Sequence, residues 1–156
     1  MIAAELLVWV LRFFGALYLV GGLWGARQFW FWARMGPSLN ELSRIADGLG
    51  EPGATPQKPI EPDNARNWWL LLGALLTAAS GAAMLLAHAL SVPLLSAVIV
   101  HQLFYFIRQR RRELAAATAE DAEEARPAPA TVNGFFSGLV MAVLAAWLYS
   151  AGALWS

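Results

Sequence analysis

Long apolar runs, interrupted by a few polar stretches, set the pattern of this chain. Residues 68–89 and 92–107 are two such runs, joined by a short uncharged turn at Leu90 and Ser91. The second stops abruptly at Arg108, Gln109, Arg110, Arg111 and Arg112. Between Leu70 and Leu86 the only polar side chains are Thr77 and Ser80, so the run lacks the polar face that a helix of a soluble core must show. A hydrocarbon layer about 30 Å thick is crossed by roughly 20 mainly apolar residues in helix. The pattern therefore predicts a membrane hairpin with a basic foot, and residues 6–32 and 134–155 supply two further spans. The expected fold is an all-α polytopic membrane protein, residues 1–156 in one domain, with four transmembrane helices in a bundle.

The polar stretches predict the connections. After Gly36 and Pro37, the run Ser38-Leu39-Asn40-Glu41 has the spacing of a capping box. Leu39, Leu42, Ile45 and Leu49 follow at roughly helical intervals, which predicts a short amphipathic helix over 39–48 on the membrane surface, within a cytoplasmic loop 34–66. Pro52, Pro56, Pro59 and Pro62 mark an extended linker, with Asp63 or Asn64 as N-cap of the next span. Ser91 is the expected N-cap of the third span, with Pro93 in its first turn. A helical extension over 108–125 is expected to run into water until Pro127 and Pro129 stop it, and Asn133 to cap the last span.

Composition agrees with a membrane solvent: 58% of the residues are hydrophobic and only 14% charged, the charges falling in blocks. The absence of cysteine excludes thiol redox chemistry, disulfides, thiolate metal sites and palmitoylation for this chain alone. Residues 1–11 hold no Lys and no small-residue cleavage site, so no cleaved signal peptide is expected. Arg34, Arg44, Lys58 and Arg66 occupy the first connection, none occupies the second, and Arg108, Arg110, Arg111, Arg112 and Arg126 occupy the third. The positive-inside bias then predicts an inner-membrane protein with both termini on the periplasmic side. Arg34, Arg44, Arg108, Arg110, Arg111 and Arg112 are expected at lipid headgroups. Acids follow the basic foot at once, which argues against nucleic acid as a partner.

Helices in lipid associate through small residues that allow close approach. Gly134, Gly138, Ala142, Ala146 and Ser150 recur at four-residue spacing; Gly73, Thr77 and Gly81 repeat it, and Gly21 and Gly25 form a shorter pair. These are the expected packing faces, within the chain or between copies.

Ionisable groups at membrane depth are costly and so are functional candidates. Arg12 lies inside the first span, where it either snorkels, pairs with Glu5, or serves a site. His101 and Gln102 sit mid-span, with Tyr105 one turn on. A histidine there is either a neutral, hydrogen-bonded core residue or a group that relays a proton, binds a quinone oxygen or ligates a metal. His88, the other histidine, differs from His101 in depth by roughly 12 Å at 1.5 Å per residue, which disfavours haem within one chain. No phosphate loop, zinc motif or catalytic triad is present, so neither catalytic residues nor a metal site is predicted.

The segments Gly15-Ala16-Leu17-Tyr18-Leu19-Val20-Gly21-Gly22, Trp68-Trp69-Leu70-Leu71-Leu72-Gly73 and Thr131-Val132-Asn133-Gly134-Phe135 resemble those of small uncharacterised four-helix inner-membrane proteins of proteobacteria. In architecture the chain is more distantly similar to the DoxX-like group, some members of which are linked to quinone-coupled oxidation. Two functions follow as expectations. One is a non-enzymatic accessory or assembly subunit, with a membrane-protein partner or a second copy of itself and no cofactor. The other is a quinone- or small-molecule-binding redox or transport protein, with His101, Gln102, Tyr105 and Arg12 lining a cavity.

Overall fold

The computed structural model describes residues 2–48 and 64–155. The chain is helical, in the order α1 (Ile2–Gly48), α2 (Asn64–Leu85), α3 (Ser91–Ala115), α4 (Ala119–Glu124) and α5 (Pro129–Ser150). Four of these, all but α4, are long and apolar enough to cross a membrane. At 1.5 Å per residue the 47 residues of α1 extend about 70 Å, far more than one hydrocarbon layer.

α1 corrects the sequence reading. It runs through Gly36 and Pro37, where a break and a separate surface helix over 39–48 were expected. A proline forfeits one helical hydrogen bond, but a helix can continue past it with a kink. Ser38 therefore lies inside a helix and cannot cap one. The proline-rich linker and Asp63 lie outside the described residues, as do the side chains of Glu41 and Arg44.

α1 and α2 pack antiparallel over most of α2, and small residues decide where. A β-carbon placed on Gly15 would stand 2.5 Å from the Leu85 backbone nitrogen, and one on Gly81 would stand 2.8 Å from the Gly15 carbonyl. Gly22 is equally tight against Ala74 and Ala78. Buried Ala26 and Ala33 continue the same seam along α1. The expected pair Gly21 and Gly25 is not this seam: Gly21 meets nothing within 4 Å and Gly25 has only ordinary contact with Ala74 and Phe29.

A similar correction applies to α5. Its buried residues are Gly138, Met141, Ala145 and Leu148, not a four-residue stripe. Successive helical residues turn by about 100°, so steps of four drift about 40° each, and only alternating steps of three and four hold one face. Gly134 and Ala146 are accordingly exposed, while Ala142 packs beside the core. α1 and α5 are joined by the Tyr18 hydroxyl, which donates to Ser137 Oγ at 3.3 Å.

Leu11, Met84, Leu95, Met141, Ala145 and Leu148 form a buried core at the end of the molecule near the α2–α3 turn. That turn begins earlier than expected, after Leu85. The Ala87 N–H donates to Met84 O and the His88 N–H to Ala83 O, both at 2.9 Å, which is the Schellman termination of a helix. Ala87 takes the left-handed position with φ of 52°. The expected cap Ser91 is a helical residue whose hydroxyl has no partner among the described residues. His88 braces the turn instead, its Nδ1 accepting from the Leu90 N–H at 3.1 Å. The tail beyond α5 docks here: the Ala89 N–H donates to Trp155 O at 2.7 Å, and the Trp155 N–H to Ala87 O at 3.0 Å.

At the opposite, basic end α3 does not continue to 125. It stops at Ala115, and α4 restarts with Thr118 as N-cap, its Oγ1 accepting from the Asp121 N–H at 3.1 Å. Glu113 bridges Arg110 at 2.7 Å and Arg126 at 3.3 Å, tying the corner together. α5 begins at Pro129 rather than after Asn133; a proline in the first turn loses no hydrogen bond the helix would have made.

Candidate functional site

Between the core and the basic end lies a half-open cavity of about 250 Å³, bordered by α1, α2, α3 and the start of α5. Its walls are chiefly apolar or small, from Gly21, Gly22, Gly25 and Phe29 of α1 to Leu70, Gly73 and Ala74 of α2. Its polar groups are His101, Gln102 and Tyr105 of α3, with Thr77 of α2 and Thr131 of α5. Residues 101, 102 and 105 share one face because helical neighbours three and four apart meet. This face turns toward the other helices, which puts three of the four residues expected to line a cavity in one place.

Arg12 is not among them. It lies nearly ten residues from Gly21 along α1, its guanidinium 5.3 Å from the Trp9 ring centre and its Nε buried without a partner among the described residues. No ion pair joins it to Glu5 among the described residues.

His101 is held on two sides. Its ring lies on Trp69, centroids 4.4 Å apart and planes 16° from parallel, and its Nε2 is 3.1 Å from the Trp69 carbonyl. A carbonyl can only accept, so Nε2 carries the proton and Nδ1 keeps a lone pair. Gly73 makes room for the ring, since a β-carbon there would come within 2.5 Å of His101 Cε1. Gly73 thus stands against a histidine ring, where the four-residue spacing predicted a contact with a helix. Thr77 donates to Gly73 O at 2.8 Å, satisfying its hydroxyl within α2.

Two further polar groups complete the site. Tyr105 Oη accepts from Gln109 Nε2 at 3.1 Å, and its own O–H has no acceptor among the described residues. Gln102 Oε1 is buried with no hydrogen-bond partner. A buried amide oxygen left unpaired costs about 1–3 kcal/mol, so it marks a place where the protein does not complete its own hydrogen bonding.

No family model matches this chain. No curated protein and no solved structure matches it either.

Trp69 and Gln109 escaped the sequence reading. A signal for the hairpin side existed: Gly73 and His101 stand at equal separations from Ala87, so an antiparallel hairpin turning there brings them face to face. Gln109 was masked by the arginines around it. It is buried, and it borders a smaller hollow with Arg66, Arg112 and Asp121 at the basic end. Among the expected headgroup arginines, Arg34 lies 4.4 Å from the Trp30 ring centre and Arg110 pairs with Glu113. Arg108 and Arg111 flank a groove beside Trp69, Phe104 and Ile107, and Arg108 and Arg112 have partners of their own.

Proposed function

We propose that this chain is an integral membrane protein that takes a small, largely apolar molecule from the lipid phase into the cavity beside His101, Gln102 and Tyr105. The observation that carries this is the convergence of three polar side chains, one with an unpaired amide oxygen, on a void inside an apolar span. Polar groups at that depth are expensive unless something uses them. A cavity of about 150 Å³ admits benzene, so about 250 Å³ accommodates one substituted ring. A quinone headgroup belongs to that size class, with its tail in lipid. No catalysis is assigned.

The chain is further proposed to lie in a bacterial inner membrane with its basic end in the cytoplasm, where Arg108 and Arg111 meet anionic headgroups. The docking of Trp155 on the α2–α3 turn supports placing the C-terminal tail and that turn on one side. A reporter active only in the cytoplasm, fused after Ser156, should be silent; activity there would reverse the orientation.

The test of the cavity is extraction. Protein purified in mild detergent should release a small molecule on solvent extraction, seen by mass spectrometry and missing from Gly21→Leu. Gly21 lines the cavity yet has open space around it, so leucine there plugs the void without disturbing a helix contact. Equal recovery from both proteins would refute the site.

A second reading, an accessory subunit of a membrane complex, is favoured by Gly21 and Gly134, small residues with nothing within 4 Å that leave room for another helix. A partner co-purifying with the wild type and lost in Gly134→Leu would support it, and a lone chain in gentle detergent would count against it.

A further inference from the structure

We infer that the occupant of the cavity is a ring bearing a free hydroxyl, and that the site discriminates against the same ring carrying only carbonyl or ether oxygens. This rests on the binding site proposed above and adds the polarity of its hydrogen bonds. His101 Nε2–H is already committed to the Trp69 carbonyl, so the nitrogen left to a ligand is Nδ1, which can only accept. Tyr105 Oη already accepts from Gln109, so what it has left to give is its O–H, a donor. The unpaired Gln102 Oε1 is a second acceptor beside them, so two acceptors and the Tyr105 donor stand on one face of α3, and all three residues line the cavity.

A hydroxyl satisfies the pair His101 and Tyr105 by itself or through two positions on one ring: it donates to His101 and accepts from Tyr105. An oxidised quinone presents acceptors only. It can take the Tyr105 proton, but neither of its oxygens can pair with His101 Nδ1 or Gln102 Oε1, since all of these are acceptors. An aryl ether has the same defect. Leaving a buried acceptor unpaired is penalised far more than making the bond is rewarded, which is why hydrogen-bonding sites reject analogues that lack the matching group. Of the quinone class admitted on size, the dihydroxy form therefore fits and the dicarbonyl form fits by half.

The experiment is equilibrium dialysis, without oxygen, of the detergent-solubilised full chain against three rings of one substitution pattern: methylhydroquinone, methylbenzoquinone and 2,5-dimethoxytoluene, with binding to empty micelles subtracted. Methylhydroquinone should bind about tenfold more tightly than either of the others, the value of one hydrogen bond. His101→Phe combined with Gln102→Leu, which keeps a ring against Trp69 and removes both acceptors, should bring the three to within about twofold of one another. Equal or tighter binding of methylbenzoquinone to the wild type would overturn the assigned polarity while leaving the cavity as a site. An undiminished preference for methylhydroquinone in a folded His101→Phe protein would overturn the role of Nδ1. Retention of none of the rings above the micelle background would overturn this inference and the proposed binding site together.

Discussion

Gly22 of α1 and Ala78 of α2 are so closely apposed that a β-carbon on Gly22 would stand 2.8 Å from the Ala78 Cα. The opposing atoms are backbone and cannot swing aside. Gly22→Ala should therefore destabilise the protein by about 1–3 kcal/mol, the usual cost of overpacking. Gly21→Ala, one residue away with open space around it, should be nearly neutral. Unfolding by SDS titration, followed by tryptophan emission, measures both; a loss at Gly21 equal to that at Gly22 would contradict the seam.

Gly73→Ala acts on a side chain instead. Its methyl group would displace the His101 ring, so the alanine should alter the emission of Trp69 and lower stability in the wild type. In a His101→Ala background the ring is gone and the added methyl should cost almost nothing. That non-additivity is the expected signature of a direct contact, and independent additive effects would show that the two residues do not touch.

The Tyr18–Ser137 hydrogen bond links α1 to α5 at 3.3 Å. Interhelical hydrogen bonds in membranes average about 0.6 kcal/mol, so a double-mutant cycle of Tyr18→Phe and Ser137→Ala should return a coupling of about that size. A coupling of zero would mean that α5 is held by packing alone.

Two helices end in the same Schellman arrangement, one with Gly152 at φ of 67° and the other with Ala87 at 52°. Gly152 has no neighbour within 4 Å, so replacing it isolates the backbone term. Gly152→Ala should cost about 1–2 kcal/mol, the penalty for a β-carbon in left-handed backbone. Unchanged stability would show that the tail takes another conformation.

The four long apolar helices were legible because apolar length is a property of sequence alone, as in residues 68–89 and 92–107. The convergence of His101, Gln102 and Tyr105 was also legible, since their spacing puts them on one face. What failed was what depends on rotation and on a partner. Nothing local distinguishes Gly21 from Gly22; one faces Ala78 and the other faces open space because of how α2 lies. Strict four-residue spacing in α5 looked like a groove but winds around the helix. Ser91 has the right chemistry for a cap, yet the turn is completed by His88 and by Trp155, which arrives from the far end of the chain. Arg12 shares a helix with the cavity's floor but lies too far along it.

The most direct test is an experimental map of the protein in lipid nanodiscs, enlarged with a rigid fiducial fragment. The expected result is non-protein density among α1, α2 and α3, in contact with His101 and Tyr105, with the His101 ring on Trp69. An empty void closed over by the four helices, or a His101 ring turned out to lipid, would contradict it.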